Sequence, residues 1–225
     1  MNWKKTTAIY LSIFLVLFSV TGLAVNANES TGKTATVQAE YYKNNEQLKY
    51  PQVSDVTDKK MEKRINQDFT NYIKKAYKEY KENEKQAEKH GFAADFQTEF
   101  EVKYNQLPKL SILMSKYIFS GGAHGNTTVE SFNYNVETGK RVYLTDILTT
   151  DEQIKAVTDY VWEYAIERPE IFYPDLKKED IQLGKQTAFY FNNQGITLVF
   201  QQYEIAPYVS GNQEIVIPSE IYEET

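Results

Sequence analysis

The 225-residue chain sets 25 Lys and Arg against 31 Asp and Glu, a net charge of −6, and has two histidines and no cysteine. The negative balance disfavours nucleic acid, whose phosphates attract positive surfaces, and the lack of cysteine excludes disulfides, thiol nucleophiles and cysteine-bound metal. The length suffices for one substantial domain or two small ones resting on an apolar core.

Lys4 and Lys5 are followed by no charge until Glu29, with an apolar run over residues 8–20 and Val25-Asn26-Ala27 as a cleavage site. This is the layout of a secretory signal over residues 1–27. The uncharged stretch 6–28 also approaches the roughly 20 residues that span a bilayer, so a retained anchor is the alternative. Either way the body is expected outside the cytoplasm, secreted or at the cell surface. Cleavage removes Lys4 and Lys5 as the only charges and takes the net value to −8.

Residues 28–49 read as a flexible lead-in with a first strand over 34–42, before a turn-rich stretch at Tyr50-Pro51. A long helix follows over about 58–89. Met61, Ile65, Phe69, Tyr72, Ile73, Ala76, Tyr77 and Tyr80 keep the three-and-four spacing of one buried face. Its charged end, residues 80–89, is expected to project into solvent and to stop at Gly91. The helix holds ten Lys and Arg against seven Asp and Glu, which leaves about −11 for the rest of the chain after cleavage; a solvated face accounts for such a run.

Period-two alternation at Phe96, Thr98, Phe100, Val102 and Tyr104 predicts a strand, followed by strands over 110–119 and 127–136. Between the last two stands Ser120-Gly121-Gly122-Ala123-His124-Gly125, three of the ten glycines around one histidine. A hairpin turn at 137–140 leads into 141–148. Thr149 and Glu152 form a capping-box pattern for a second helix that ends before Pro169, and a short helix is expected near 177–181. Residues 188–191 and 196–203 read as a hairpin, and 214–217 as a last strand. The fold class is α+β: an antiparallel sheet packed on one face by one long N-terminal helix and a second medium helix. A boundary is expected near Leu107-Pro108, between a helix-rich part at 50–107 and a C-terminal sheet domain at 108–225.

The chemistry available to a hydrolase is thin. His90 sits in a charged helix end, and His124 stands without a nucleophile elbow. Two histidines without ligand spacing predict no metal and no cofactor. Glu204, within Tyr203-Glu204-Ile205-Ala206-Pro207-Tyr208, is the one acid singled out as a candidate. Three glycines in five residues fit a shaped loop that presents His124 at its tip, with backbone N–H groups available to an anion.

From about residue 50 onward, the order of these features resembles the extracellular domain of the bacillar anti-sigma-V factor RsiV, also found beside PdaC-like peptidoglycan deacetylases. The marks are Tyr50-Pro51, Ile65-Asn66, Ser111-Ile112, the Ser120 to Gly125 loop, and Tyr134-Asn135 before Thr138-Gly139-Lys140. They continue with Leu144-Thr145-Asp146-Ile147, Tyr203 to Tyr208 with Gly211, and Ile217-Pro218. The resemblance implies recognition of lysozyme. Only residues 1–7 precede the apolar run, so no sigma factor is expected as a partner, and the metal-binding Asp and His motifs of the deacetylase half do not occur. The expectation is a non-catalytic envelope module that recognises a lysozyme-like cationic protein or a cell-wall polymer. Its binding residues would be Ser120, Gly121, Gly122, His124, Gly125, Tyr203, Glu204, Pro207 and Tyr208. The alternative is a cell-wall hydrolase or deacetylase-like enzyme that uses Glu204 and His124.

Overall fold

The computed structural model describes residues 35–223. The expected leader at 1–27 lies outside these residues, and among those described no helix is long and apolar enough to cross a membrane. In chain order the strands are β1 (Thr36–Tyr41), β2 (Lys49–Ser54), β3 (Asp95–Gln106), β4 (Lys109–Phe119), β5 (Asn126–Asn135), β6 (Lys140–Val142), β7 (Ala188–Asn192), β8 (Gly195–Val199) and β9 (Glu214–Pro218). The helices are α1 (Lys59–His90), α2 (Asp151–Ile166) and the single turn α3 (Glu220–Glu223). The class is α+β as expected, but the strands form three antiparallel sheets in place of one: β1-β2, β3-β4-β5-β6 and β7-β8-β9.

The long helix follows from its sequence. The Asp58 side chain caps the N-terminus by accepting from the Lys60 N–H, and the Gly91 N–H closes the C-terminus on the Ala87 carbonyl. Ile65 and Phe69 bury against Ile112, Met114, Phe132 and Tyr134, each such side chain contributing about 1.5–3 kcal/mol. The charged end does not project freely into solvent, because Asn83 and Ala87 are buried. The Asn83 Nδ2 donates to the Phe119 carbonyl at 2.9 Å, and with the Glu79–Lys116 ion pair and the Tyr80 ring edge on Phe96 it seats the charged helix end on the strands. At α2 the capping box is Thr150 with Gln153, one residue later than Thr149 with Glu152.

Alternation along β4 sends Ile112 and Met114 towards α1, and Ser111 and Leu113 to the opposite face. The edge strand β7 abuts that opposite face. The Phe189 N–H donates to Ser131 Oγ at 3.0 Å, the Phe191 N–H donates to Ser111 Oγ at 3.1 Å, and Asn133 Nδ2 donates to the Phe189 carbonyl at 2.8 Å. Buried Ser111 and Asn133 therefore complete the hydrogen bonding of a strand that has no neighbouring strand on that side. Helix α2 packs Val157, Val161 and Ala165 against the β7–β9 sheet, around Phe189, Leu198, Ile215 and Ile217. The two long helices thus cover different sheets and do not share one face.

The expected boundary at Leu107-Pro108 falls in the tight turn between β3 and β4, which pair from Asp95–Phe119 to Gln106–Lys109. The described residues on both sides of that turn belong to one compact unit. The stretch at Tyr50-Pro51, read as turn-rich, is strand β2, paired with β1 from Thr36–Ser54 to Tyr41–Lys49. Replacing Asn133 by Ala should leave the Phe189 carbonyl unpaired and lower stability by about 1–3 kcal/mol. Urea denaturation measures this, and an unchanged midpoint would remove the role given to the amide.

Candidate functional site

The glycine loop 120–125 joins β4 to β5. Its start is tied to α1 by Ser120, whose hydroxyl donates to Asn83 Oδ1 at 2.7 Å. Gly121 and Gly122 take φ values of 83° and 102°, which side chains rarely adopt. Gly125 answers a different need: a Cβ there would lie 2.3 Å from the Tyr117 ring. With that ring beneath Gly125, the His124 side chain is exposed.

The second segment leaves the sheet after β8. Ile205 and Ala206 are 0% and 2% exposed and pin it to the core, while the Ile205 carbonyl accepts from the Tyr173 N–H at 3.2 Å. Pro207 leads into a 3₁₀ turn at Tyr208–Ser210, which Ser210 fastens by donating its hydroxyl to the Ile171 carbonyl at 2.7 Å. Tyr203 holds φ at 67° with its side chain 52% exposed. A bulky residue in the left-handed region costs of order 1–3 kcal/mol, which the surrounding contacts must offset.

These two segments meet. The His124 ring stacks on Tyr208 with centroids 3.8 Å apart and planes at 22°. Tyr203 lies 5.7 Å from Tyr208 and 6.4 Å from His124. The His124 Nδ1 is 2.9 Å from the Gly125 carbonyl, which can only accept, so Nδ1 carries the proton. In the neutral ring Nε2 is then free to accept from the Tyr203 hydroxyl 3.3 Å away. The product is an aromatic platform in which His124 and Tyr203 are exposed and Tyr208 is half-buried, with Val209 beside it 90% exposed.

Two residues without a mark in the sequence pattern hold the platform together. Gln201 lies against the edge of β5 as a peptide group would: its Oε1 accepts from the Val129 N–H and its Nε2 donates to the Val129 carbonyl, both at 2.9 Å. Gln202 Oε1 accepts from the Thr127 N–H at 2.8 Å. The available signal is a Gln-Gln pair immediately after a strand, where a side-chain amide can imitate the backbone.

Glu204 points elsewhere. It lines an open cleft of about 520 Å³ with Tyr173, Asp175, Leu176, Lys177, Glu179, Asp180 and Gln182, and His124 is not among the lining residues. The side chain is exposed on its cleft side, but the protein behind it desolvates the carboxyl and raises its pKa, while the Gln201 N–H, 2.6 Å from Oε2, pulls the other way. A carboxyl raised in the native state costs stability as pH climbs from the ordinary value near 4.3 through the native one. Glu204→Gln should therefore be at least as stable as wild type at neutral pH and should flatten the decline above pH 4. Thermal melting across pH measures this, and a variant that loses stability at neutral pH would contradict it.

The structure thus brings His124, Tyr203 and Tyr208 together, places Ser120, Gly121, Gly122, Gly125 and Pro207 in the two segments that carry them, and turns Glu204 to a neighbouring cleft. Among the described residues no cluster of His, Cys, Asp or Glu is arranged to hold a metal.

Over residues 36–127 the chain matches the family model of the deacetylase PdaC, and over 145–220 that of DUF3298, a family of proteins of unknown function. It is 26% identical over 137 residues to peptidoglycan-N-acetylmuramic acid deacetylase PdaC of Bacillus subtilis (strain 168), a match over 55% of this chain and 27% of that enzyme. The chain thus spans about a quarter of the length of this curated relative. A crystal structure of a DUF3298 family member from Bacteroides fragilis NCTC 9343 superposes with a TM-score of 0.58 at 20% identity, covering 87% of this chain and 94% of that one. Another from Pseudomonas aeruginosa PAO1 gives 0.54 at 17% identity, covering 83% and 89%. At these identities the likeness shows the fold. The platform draws the Ser120 to Gly125 loop from the first family match and Tyr203 to Tyr208 from the second.

Proposed function

We propose that this protein is an exported, non-catalytic binding module of the cell envelope, with the His124–Tyr203–Tyr208 platform as its recognition surface for a peptidoglycan-associated ligand. The observation that carries this reading is the meeting of two distant segments in an aromatic stack whose His124 and Tyr203 are exposed. Tyrosines on a rigid support are the usual anchors of recognition surfaces. The match to a deacetylase named for peptidoglycan N-acetylmuramic acid supports the cell wall as the setting. Glu204 and His124 do not share a cleft, which favours binding over the alternative of a hydrolase that uses both.

A second reading, recognition of a lysozyme-like cationic protein as in RsiV-type domains, is favoured by the acidic cleft beside the platform, where Asp175, Glu179, Asp180 and Glu204 outnumber Lys177. Co-sedimentation with purified sacculi, and pull-down of lysozyme at low and high salt, test both readings. Retention by sacculi is the expected result. Lysozyme capture that falls as salt screens the charges would support the second reading. Release of acetate or soluble sugar from the sacculi would overturn the non-catalytic assignment, and retention by neither would overturn the module.

A further inference from the structure

Beside the platform, between α1 and the edge of β5, lies an open polar cavity of about 290 Å³, lined among others by Tyr72, Lys75, Glu79, Lys116, Thr128 and Glu130, with Gln201 at its border. We infer that platform and cavity are two subsites of one oligosaccharide site, the platform stacking a sugar ring and the cavity taking its hydroxyls. This rests on the binding function proposed above and names the part of the wall that is bound: the glycan strand, not the stem peptide.

Three observations carry it. First, the β5 edge, where a peptide would add as a strand, is already occupied. Gln201 takes both backbone groups of Val129, and Gln202 takes the Thr127 N–H. A peptide joining there by strand addition would have to displace both amides.

Second, the cavity is lined by both signs of charge, with one cation to spare. Lys116 pairs with Glu79, and Glu130 accepts from Arg141 at 3.0 Å. Lys75 makes no ion pair among the described residues. With Glu79 and Glu130 both paired, Lys75 is the cation left over, which suits a largely uncharged ligand with isolated carboxylates, as a glycan strand has on its lactyl groups once the stem peptides are removed. The lining side chains also offer donors and acceptors together, which is what hydroxyl groups need because each both donates and accepts. Tyr72 adds a donor: burial first, then Glu130 and Glu79, push its phenol well above the ordinary value and keep its proton in place.

Third, the distance fits a chain of sugars. His124 and Thr128 are four residues apart, so the Cα atoms that carry the platform histidine and the cavity threonine are at most about 14 Å apart. Stacking alone would suit many ligands, and a cavity with polar walls alone would suit many others. Together, within the span of a short oligosaccharide, they fit the apolar C–H face and polar rim of linked sugar rings.

The test uses the full protein with three probes: intact sacculi, glycan strands stripped of their stem peptides, and the released stem peptides. Titration calorimetry should show saturable binding of the stripped strands and none of the peptides. Tyr208→Ala and Lys75→Ala should each weaken strand binding by about tenfold, the scale of a strong single contact, with unchanged melting temperature, while Tyr208→Trp should keep it. Sacculi bound without stripped strands, peptides bound in their place, or strands bound indifferently to all these substitutions would overturn the oligosaccharide site and leave the envelope module standing. Loss of sacculi as well would bring down both.

Discussion

Replacing Gly195 by Ala should lower the stability of the protein steeply for the addition of a single methyl group. Gly195 sits in the β7–β8 turn at φ 152°, and a Cβ there would lie 2.5 Å from the Ile217 carbonyl oxygen and 2.7 Å from the Ser219 nitrogen. Both are backbone atoms of β9 and its exit, so no side chain can swing aside. Backbone strain of order 1–3 kcal/mol and overpacking of similar size together suggest a loss of about 3 kcal/mol or more. For a chain of this length that lowers the melting temperature by roughly 6–12 °C. Gly184→Ala is the matched control, since a Cβ there meets nothing within 4 Å and the φ is ordinary. Equal melting of the two variants would refute the close approach.

Gln201→Ala should be the most disruptive change in the support of the platform. It removes two hydrogen bonds to Val129 and leaves an N–H and a carbonyl on the β5 edge without partners. At about 1 kcal/mol for each lost bond the cost is about 2 kcal/mol. The Val129 amide should exchange with deuterium much faster than in wild type, and ligand binding should weaken as the Tyr203 to Tyr208 segment loses its tether. The newly open strand edge should also favour aggregation. Unchanged protection at Val129 would show that the glutamine does not close the edge.

Periodicity made most of the fold legible. The apolar face of α1 and the alternation of β3 need only local sequence, so Lys59–His90 and Asp95–Gln106 were within reach. The arrangement of sheets was not. Docking of β7 onto the face of β4 and β5 depends on Ser111, Ser131 and Asn133, three polar residues in apolar runs, and nothing local shows which distant strand they complete. The seating of the charged end of α1 depended in the same way on Asn83, which binds residues 36 positions away. Strand β2 was missed because Tyr50-Pro51 carries a turn residue in an edge-like strand. At the site, glycine clustering and the aromatic run marked both segments separately. That they meet followed only from the resemblance, because a stack between residues 124 and 208 leaves no mark in local spacing. Gln201 and Gln202, whose role is purely tertiary, left less still.

The central claim is that the His124 loop and the Tyr203 to Tyr208 segment form one recognition surface, and sedimentation with sacculi and lysozyme capture compared across Tyr208→Ala, Ser120→Trp and wild type test it most directly. Ser120 is tied to Asn83 at the foot of the loop, so a bulky indole there should shift His124 out of its stack on Tyr208. The account predicts that both variants stay folded, as followed for Tyr208→Ala by the fluorescence of Trp162, whose indole N–H donates to the Leu176 carbonyl. Both should lose at least about 1–2 kcal/mol of affinity for whichever ligand the wild type holds. Wild-type affinity in both folded variants would contradict it and place the working surface elsewhere.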